Sequence, residues 1–365
     1  MENKISLHGG NIYKEAERQG IAPSDILDFS ANINPLGIPP GLRKHLINNL
    51  ANSINYPDIE SLKLKTQLSS YLSIDTNNIC VGNGATDLIY LLFQSLNIKK
   101  LIVPAPSFVE YERAARICGI DVLFFERLES DGFKVDFKGL LKFAEKTKPD
   151  AILLCNPNNP TSTLESSEDI TALTEECLDL GISVIVDEAF IELTKKPEKY
   201  SVSKYIEKYK NLFVIRAFTK VFAIPGLRLG YCLASKEKIR DLEELQPSWP
   251  INILASEAGV VFEADEEYIR ATNEWINIEP DYLYNELVKI PQIKVYPPSS
   301  NFILCKILAK GWDAERLKEA LIKKKILIRN AANFKYLCNS YFRIAVKDRE
   351  KNALLISAIT EIDWR

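Results

Sequence analysis

The chain has 365 residues, 46% hydrophobic and 26% charged, with a formal net charge of −3. That is room for one large domain and a smaller one, and the balance gives no electrostatic reason to expect nucleic acid or an anionic membrane as partner. The opening MENKISLHGGN lacks an apolar core of signal-peptide length and no later run is long enough to span a bilayer, so a cytoplasmic protein is expected.

In chain order, NPLGIPP (34–40) reads as a loop, and the segment before about residue 50 is expected to join a C-terminal unit. GNGATDLIYLLF (82–93) is a Gly-rich turn opening a helix. Short β-rich runs follow: LIVP (101–104), DVLFF (121–125), AILLC (151–155), ISVIVD (182–187), LFVIR (212–216) and GYCLA (230–234). Amphipathic stretches such as DITALTEECLDL (169–180) separate them. Strands apolar on both faces and spaced by helices predict an α/β unit with a mostly parallel sheet covered on both sides. After Pro250 a helical pattern runs from Ile253 to Leu287 with a break expected near Pro280. Strands around IKVY, NFILCK and FRIAV and helices near 313–325 and 349–361 complete a smaller α+β unit. The boundaries are residues 50–252 for the large unit, and 1–49 with 253–365 for the small one.

The seven cysteines form no CxxC pair and mostly sit in apolar runs, as reduced core thiols do. With two histidines in the chain, no metal site is expected.

The strongest chemical signal is RAFTKVFAIPGLRLG (216–230). A plain surface lysine fits poorly in such apolar surroundings. A lysine in an apolar, cation-rich pocket has a depressed pKa and is a competent Schiff-base nucleophile, which points to Lys220. Arg228, eight residues on, could turn back toward a phosphate. Asp187 closes a buried strand in VIVDEAF (184–190), where an Asp serves either as a helix N-cap or as a functional carboxylate.

These blocks, in this order, resemble the fold-type I pyridoxal-phosphate enzymes of the aspartate aminotransferase superfamily. The resemblance implies a seven-stranded, mostly parallel sheet with helices on both faces and pyridoxal 5′-phosphate as cofactor. It implies that Lys220 forms the Schiff base and Asp187 pairs with the pyridine nitrogen. Asn159 in CNPNNPT (155–161) would contact the phenolic oxygen, and Phe108 in PAPSFVEY (104–111) would stack on the ring. Gly84, Ala85 and Thr86, with Thr219 and Arg228, would cradle the phosphate. Tyr56 in NYPD (55–58) would reach the phosphate of a neighbouring subunit, which implies a homodimer with shared active sites. Two departures stand out: Ala217 replaces a common hydroxyl residue, and Ser162 replaces the usual Gly after Pro-Thr.

A closer, nearly end-to-end similarity is to the cobalamin-pathway threonine-phosphate decarboxylases. LHGGN (7–11), DFSANINPLG (28–37), IPGLRLGY (224–231), ILIRNAANF (326–334) and YFRIAV (341–346) carry it. It implies decarboxylation of O-phospho-L-threonine to (R)-1-amino-2-propanol phosphate, or of O-phospho-L-serine to ethanolamine phosphate, for a cobamide nucleotide loop. Substrate contacts would fall on His8, Gly9, Asn32, Asn159, Arg329 and Arg343. A doubly anionic phosphate plus a carboxylate needs several donors, and this set supplies them. The alternative is an aminotransferase of the histidinol-phosphate type, whose members carry a tyrosine where this chain has Phe190.

Overall fold

The computed structural model describes residues 9–365. In chain order its strands are Leu27–Asp28 (β1), Ile79–Gly82 (β2), Lys100–Ala105 (β3), Asp121–Glu126 (β4), Ala151–Cys155 (β5), Ser183–Asp187 (β6), Leu212–Ala217 (β7), Gly230–Leu233 (β8), Ile293–Val295 (β9), Phe302–Ile307 (β10), Ile326–Leu327 (β11), Arg329–Asn330 (β12) and Tyr341–Ala345 (β13). Seven of them form one sheet in the order β2-β8-β7-β6-β5-β3-β4. Its pairings from β4 to β7 are parallel, and β8 runs against both β7 and β2.

The apolar strands sort by two-residue alternation into two cores. Ile152, Leu154, Val184, Val186 and Val214 enter the core on one face. Leu153, Cys155, Ile185, Phe213 and Ile215 enter the core on the other. Helices cover each, so every residue of β5 and β7 is buried.

Because these strands are parallel, their carboxyl ends share one edge, where open α/β sheets bind ligands. Asp187 ends β6, Lys220 follows β7, Asn159 follows β5, Phe108 follows β3 and Gly84 follows β2. The antiparallel β8 begins at that edge, which brings Arg228 there as well. A second, antiparallel sheet has the order β12-β13-β10-β9, with Arg329 directly opposite Arg343. The short β1 pairs in parallel with β11 as a separate two-stranded sheet, and the Phe29 carbonyl just after it accepts the Ala345 N–H of β13 at 2.8 Å, tying the N-terminal segment to the antiparallel sheet.

Two elements differ from the sequence reading. Strand β2 has only four residues and pairs with β8, and the chain pattern did not single it out. The helical run after residue 253 breaks at Asp265, while Pro280 lies buried inside the helix Glu266–Leu287. The cause is tertiary: the Asp265 carboxylate accepts the Gly41 and Leu42 N–H groups at 2.7 and 2.8 Å, anchoring the first turn of the helix Pro40–Asn49.

Gly230 is required by close approach, since a Cβ there would lie 2.7 Å from the Ala85 nitrogen and 2.7 Å from the Gly84 carbonyl carbon. Gly230→Ala should destabilise the protein by about 1–3 kcal/mol through overpacking. A lower midpoint of urea unfolding without a changed slope is the expected result.

Candidate active site

A cavity of about 410 Å³ opens at the carboxyl edge of the large sheet. Lys220 lines it from the short helix Phe218–Val221, which β7 delivers directly. The Lys220 carbonyl accepts the Asn34 N–H at 3.1 Å, fixing this turn against the N-terminal segment. Burial, followed by the nearby Arg343 and Arg228 charges, lowers the Lys220 pKa to about 8, with Asp187 opposing weakly. The amine is therefore partly unprotonated near neutral pH and ready to attack a carbonyl.

Asp187 faces the same space from the end of β6. Its Oδ2 accepts the Tyr111 hydroxyl at 2.7 Å and its Oδ1 accepts the Ala189 N–H at 3.0 Å. Burial pushes its carboxyl pKa up, opposed by the hydrogen bonds from Tyr111 and Ala189 and by attraction to Lys220. A cationic N–H donor placed here would reverse that penalty. Tyr111 orients Asp187 and was not singled out from the sequence. Its signal was present in PAPSFVEY, and its ring meets Phe108 edge-on with centroids 5.5 Å apart.

The third part is an anion cradle. Gly84, at φ +84°, is the N-cap of the helix Ala85–Ser95 and supplies no side-chain cap. The helix N–H groups are left for another acceptor. A Cβ on Gly84 would lie 2.5 Å from an Arg228 Nη, so the guanidinium sits directly over this turn. Arg228 donates to the Pro225 carbonyl at 3.3 Å and meets no carboxylate within 4 Å among the described residues. Ala85, Thr86, Thr219 and Ala217 also line the cavity, so two hydroxyls stand near the cradle although position 217 has none.

The fourth part is an arm of donors from the small sheet. Arg343, from β13, donates to Asn159 Oδ1 and, at 2.8 Å, to the Ser30 carbonyl. Its Nε is buried without a protein partner. Burial, then repulsion from Arg329, lowers the Arg343 pKa to about 9, against the attraction of Asp28. Burial lowers Arg329 to about 10. Arg329 donates to Asn333 Oδ1 at 2.8 Å and lies over the Phe334 ring. Asn32 lines the cavity with both its amide oxygen and nitrogen buried and unpartnered. A buried amide left this way is costly unless a ligand completes it. Gly9 packs against the Ser30 backbone at the rim.

His8 lies outside the described residues. Tyr56 is not brought to this cavity: it is 77% exposed and stacks on Trp249 with ring centroids 4.5 Å apart. Ser162 adopts φ +61°, the region that suits the glycine it replaces. Its Oγ accepts the N–H groups of Ser299 and Ser300 at 3.1 and 3.0 Å, which explains how serine is accommodated.

Over residues 24–359 the chain matches the family described as aminotransferase class I and II, and it belongs to that family. Its architecture is the fold-type I arrangement. A Caldanaerobacter subterraneus protein provisionally named a threonine-phosphate decarboxylase is 41% identical, over 96% of this chain and 92% of its own. The threonine-phosphate decarboxylase of Salmonella typhimurium is 34% identical, over 98% and 96%. The crystal structure of the histidinol-phosphate aminotransferase from Clostridium acetobutylicum is similar with a TM-score of 0.82 at 34% identity, covering 91% of this chain and 97% of that one.

Reactivity of the Lys220 amine toward a small aldehyde, trapped by borohydride, should rise with pH to a midpoint near the lowered value of about 8. Arg343→Ala removes a cation that repels the ammonium form. It should move the midpoint upward and reduce trapping at neutral pH.

Proposed function

We propose that this chain is a pyridoxal-phosphate-dependent decarboxylase of a phosphorylated amino acid. It takes O-phospho-L-threonine or O-phospho-L-serine, releases carbon dioxide, and leaves (R)-1-amino-2-propanol phosphate or ethanolamine phosphate for a cobamide nucleotide loop. The observation that carries this reading is the juxtaposition of Lys220 with two buried arginines and the unpartnered Asn32 in one cavity. That space suits an amine bearing two separate anions. The decarboxylase relatives at 41% and 34% identity support it.

The residues present fit the cofactor. An uncapped helix N-terminus beside Arg228 suits its phosphate, and the buried Asp187, whose pKa is raised by burial, suits its ring N–H. Asn159 would meet its phenolic oxygen, Phe108 its ring face, and Lys220 its aldehyde. When bound, pyridoxal phosphate supplies an electron-poor ring that accepts the electron pair released at Cα. Arg329, Arg343, Asn32, Gly9 and His8 would hold the substrate phosphate and carboxylate. Lys220, with a pKa of about 8, is present partly as the ammonium near neutral pH and would deliver a proton to Cα as carbon dioxide departs. Phe190, edge-on to Phe302 at 5.0 Å, gives the site an apolar wall beside Lys220. Such a wall favours neutral carbon dioxide over the carboxylate it comes from.

Residues 50–252 would form the cofactor-binding unit, and residues 1–49 with 253–365 the unit bearing substrate contacts. We further propose a homodimer in which Tyr56 reaches the partner's phosphate cradle. Its support is the exposure of Tyr56 among Leu50, Ile54, Ile59 and Leu62, an apolar surface suited to a second copy. All seven cysteines are unpaired, and no helix of the described residues is long and apolar enough to cross a membrane. Both agree with a cytoplasmic setting. The second reading, a histidinol-phosphate-type aminotransferase, rests on the 34% identity to the Clostridium enzyme.

The deciding experiment incubates the holoenzyme with phosphothreonine and phosphoserine separately and measures carbon dioxide and phosphorylated amine. Turnover without any keto acid is expected, and Lys220→Ala should abolish it. A keto-acid requirement with accumulation of the pyridoxamine form would instead establish the aminotransferase. Arg329→Ala should raise KM by the equivalent of about 1.5–3 kcal/mol, the worth of a hydrogen bond to a charged group.

A further inference from the structure

We propose that Glu129 is a positioning residue: one carboxylate that pins the sheet bearing Arg329 and Arg343 to the end of the large sheet. Its kinetic consequence rests on the decarboxylase reading, while the mechanical link rests on contacts alone.

Glu129 opens the turn Glu129–Asp131, just after β4. Its Oε1 accepts the Tyr296 hydroxyl at 2.6 Å and the Lys294 ammonium at 2.7 Å. Its Oε2 accepts the Tyr341 hydroxyl at 2.6 Å and the Lys306 ammonium at 2.8 Å. Lys306 is directly opposite Lys294 on β9 and directly opposite Tyr341 on β13, so three of the donors form one row across three strands. Two ammonium groups placed opposite each other on adjacent strands repel. The shared carboxylate makes that pairing tolerable. Burial alone would raise the Glu129 pKa, but the two lysines and two tyrosines hold it well below the usual carboxylate range.

The row is connected to the site. Tyr341 precedes Arg343 by two residues, so both lie on one face of β13, and Arg343 is opposite Arg329. The turn is anchored at its other end by the buried Arg127, which donates to the Phe133 carbonyl at 3.4 Å and to Glu165 at 3.1 Å. Phe133 packs on Tyr296 and shares a core with Phe334, the ring beneath Arg329. One side of the turn therefore holds the large sheet and the other the arginine sheet. Neutralising Glu129 leaves Lys294 and Lys306 facing each other without an anion. The arginine sheet then keeps its ties through Asn159 and Ser162 but loses the one at the β9–β13 row, so the arginines are held less tightly relative to Lys220, while Lys220 and Asp187 keep their own supports.

The test compares wild-type, Glu129→Gln and Asp131→Asn holoenzymes. In Glu129→Gln, KM for the phosphorylated amino acid should rise about tenfold with kcat within about twofold. Asp131→Asn, on the same turn, should change neither. Backbone amides of residues 326–346 should exchange hydrogen about tenfold faster in Glu129→Gln, with those of residues 85–95 unchanged. A fall in kcat at constant KM, unchanged kinetics, or unchanged exchange over 326–346 would overturn the proposal. If the wild-type enzyme releases no carbon dioxide from either substrate, the decarboxylase reading fails, and the exchange comparison alone decides the role of Glu129.

Discussion

The site is organised by the concentration of positive charge in one cavity, with Arg329 and Arg343 buried and Arg228 at its exposed side. Lys220, Arg228, Arg329 and Arg343 all line one cavity, and Asp187 is a carboxylate among them. Burial lowers the pKa values of Lys220, Arg329 and Arg343, and neighbouring cations lower Lys220 and Arg343 further. The arrangement becomes favourable when anions enter. On the proposed reading a phosphate at the helix turn would offset Arg228, and a substrate carrying a phosphate and a carboxylate would add anions beside the small-sheet arginines. Charge excess thus selects a multiply anionic ligand before any shape complementarity applies.

The same excess prepares the chemistry. A lysine in water is almost fully protonated at neutral pH and cannot act as a nucleophile. Burial supplies most of the correction here, and the neighbouring guanidinium groups supply more. Asp187 shows the opposite side of the same physics. It is held by Tyr111 and a backbone N–H, and burial raises its pKa despite the attraction of Lys220.

Much of this was legible locally. Lys220, Asp187 and Asn159 sit at or just after strands apolar on both faces, so their placement at one edge follows from parallel pairing. Ala85 and Thr86 open a helix directly after a glycine turn, which is again a short-range signal. What escaped the sequence depends on distant pairing. Asn34 holds the Lys220 carbonyl across 186 positions (220 − 34), and Ser30 meets Arg343 across 313. The break at Asp265 answers to a helix start more than 220 residues earlier. Strand β2 exists because β8 runs against it, a partnership that four apolar residues do not announce. Tyr56 projects to the surface, and its expected role belongs to an assembly rather than to one chain.

The division of labour between the sheets bears on how one scaffold serves more than one reaction. Electron-accepting chemistry requires only elements at the edge of the large sheet, where Lys220, Asp187, Asn159 and the turn at Gly84 lie, and on the proposed reading these would hold the electron-accepting ring. Which bond at Cα is cleaved depends on which substituent is held perpendicular to the ring, and that is decided by groups gripping the substrate elsewhere. On the proposed reading those groups would come from β12, β13 and the segment around Asn32, with Phe190 as an apolar wall. Small displacements of that arm relative to Lys220 would change the bond presented without altering any group that handles electrons. A decarboxylase and an aminotransferase can therefore share one core and differ in the groups that grip the substrate.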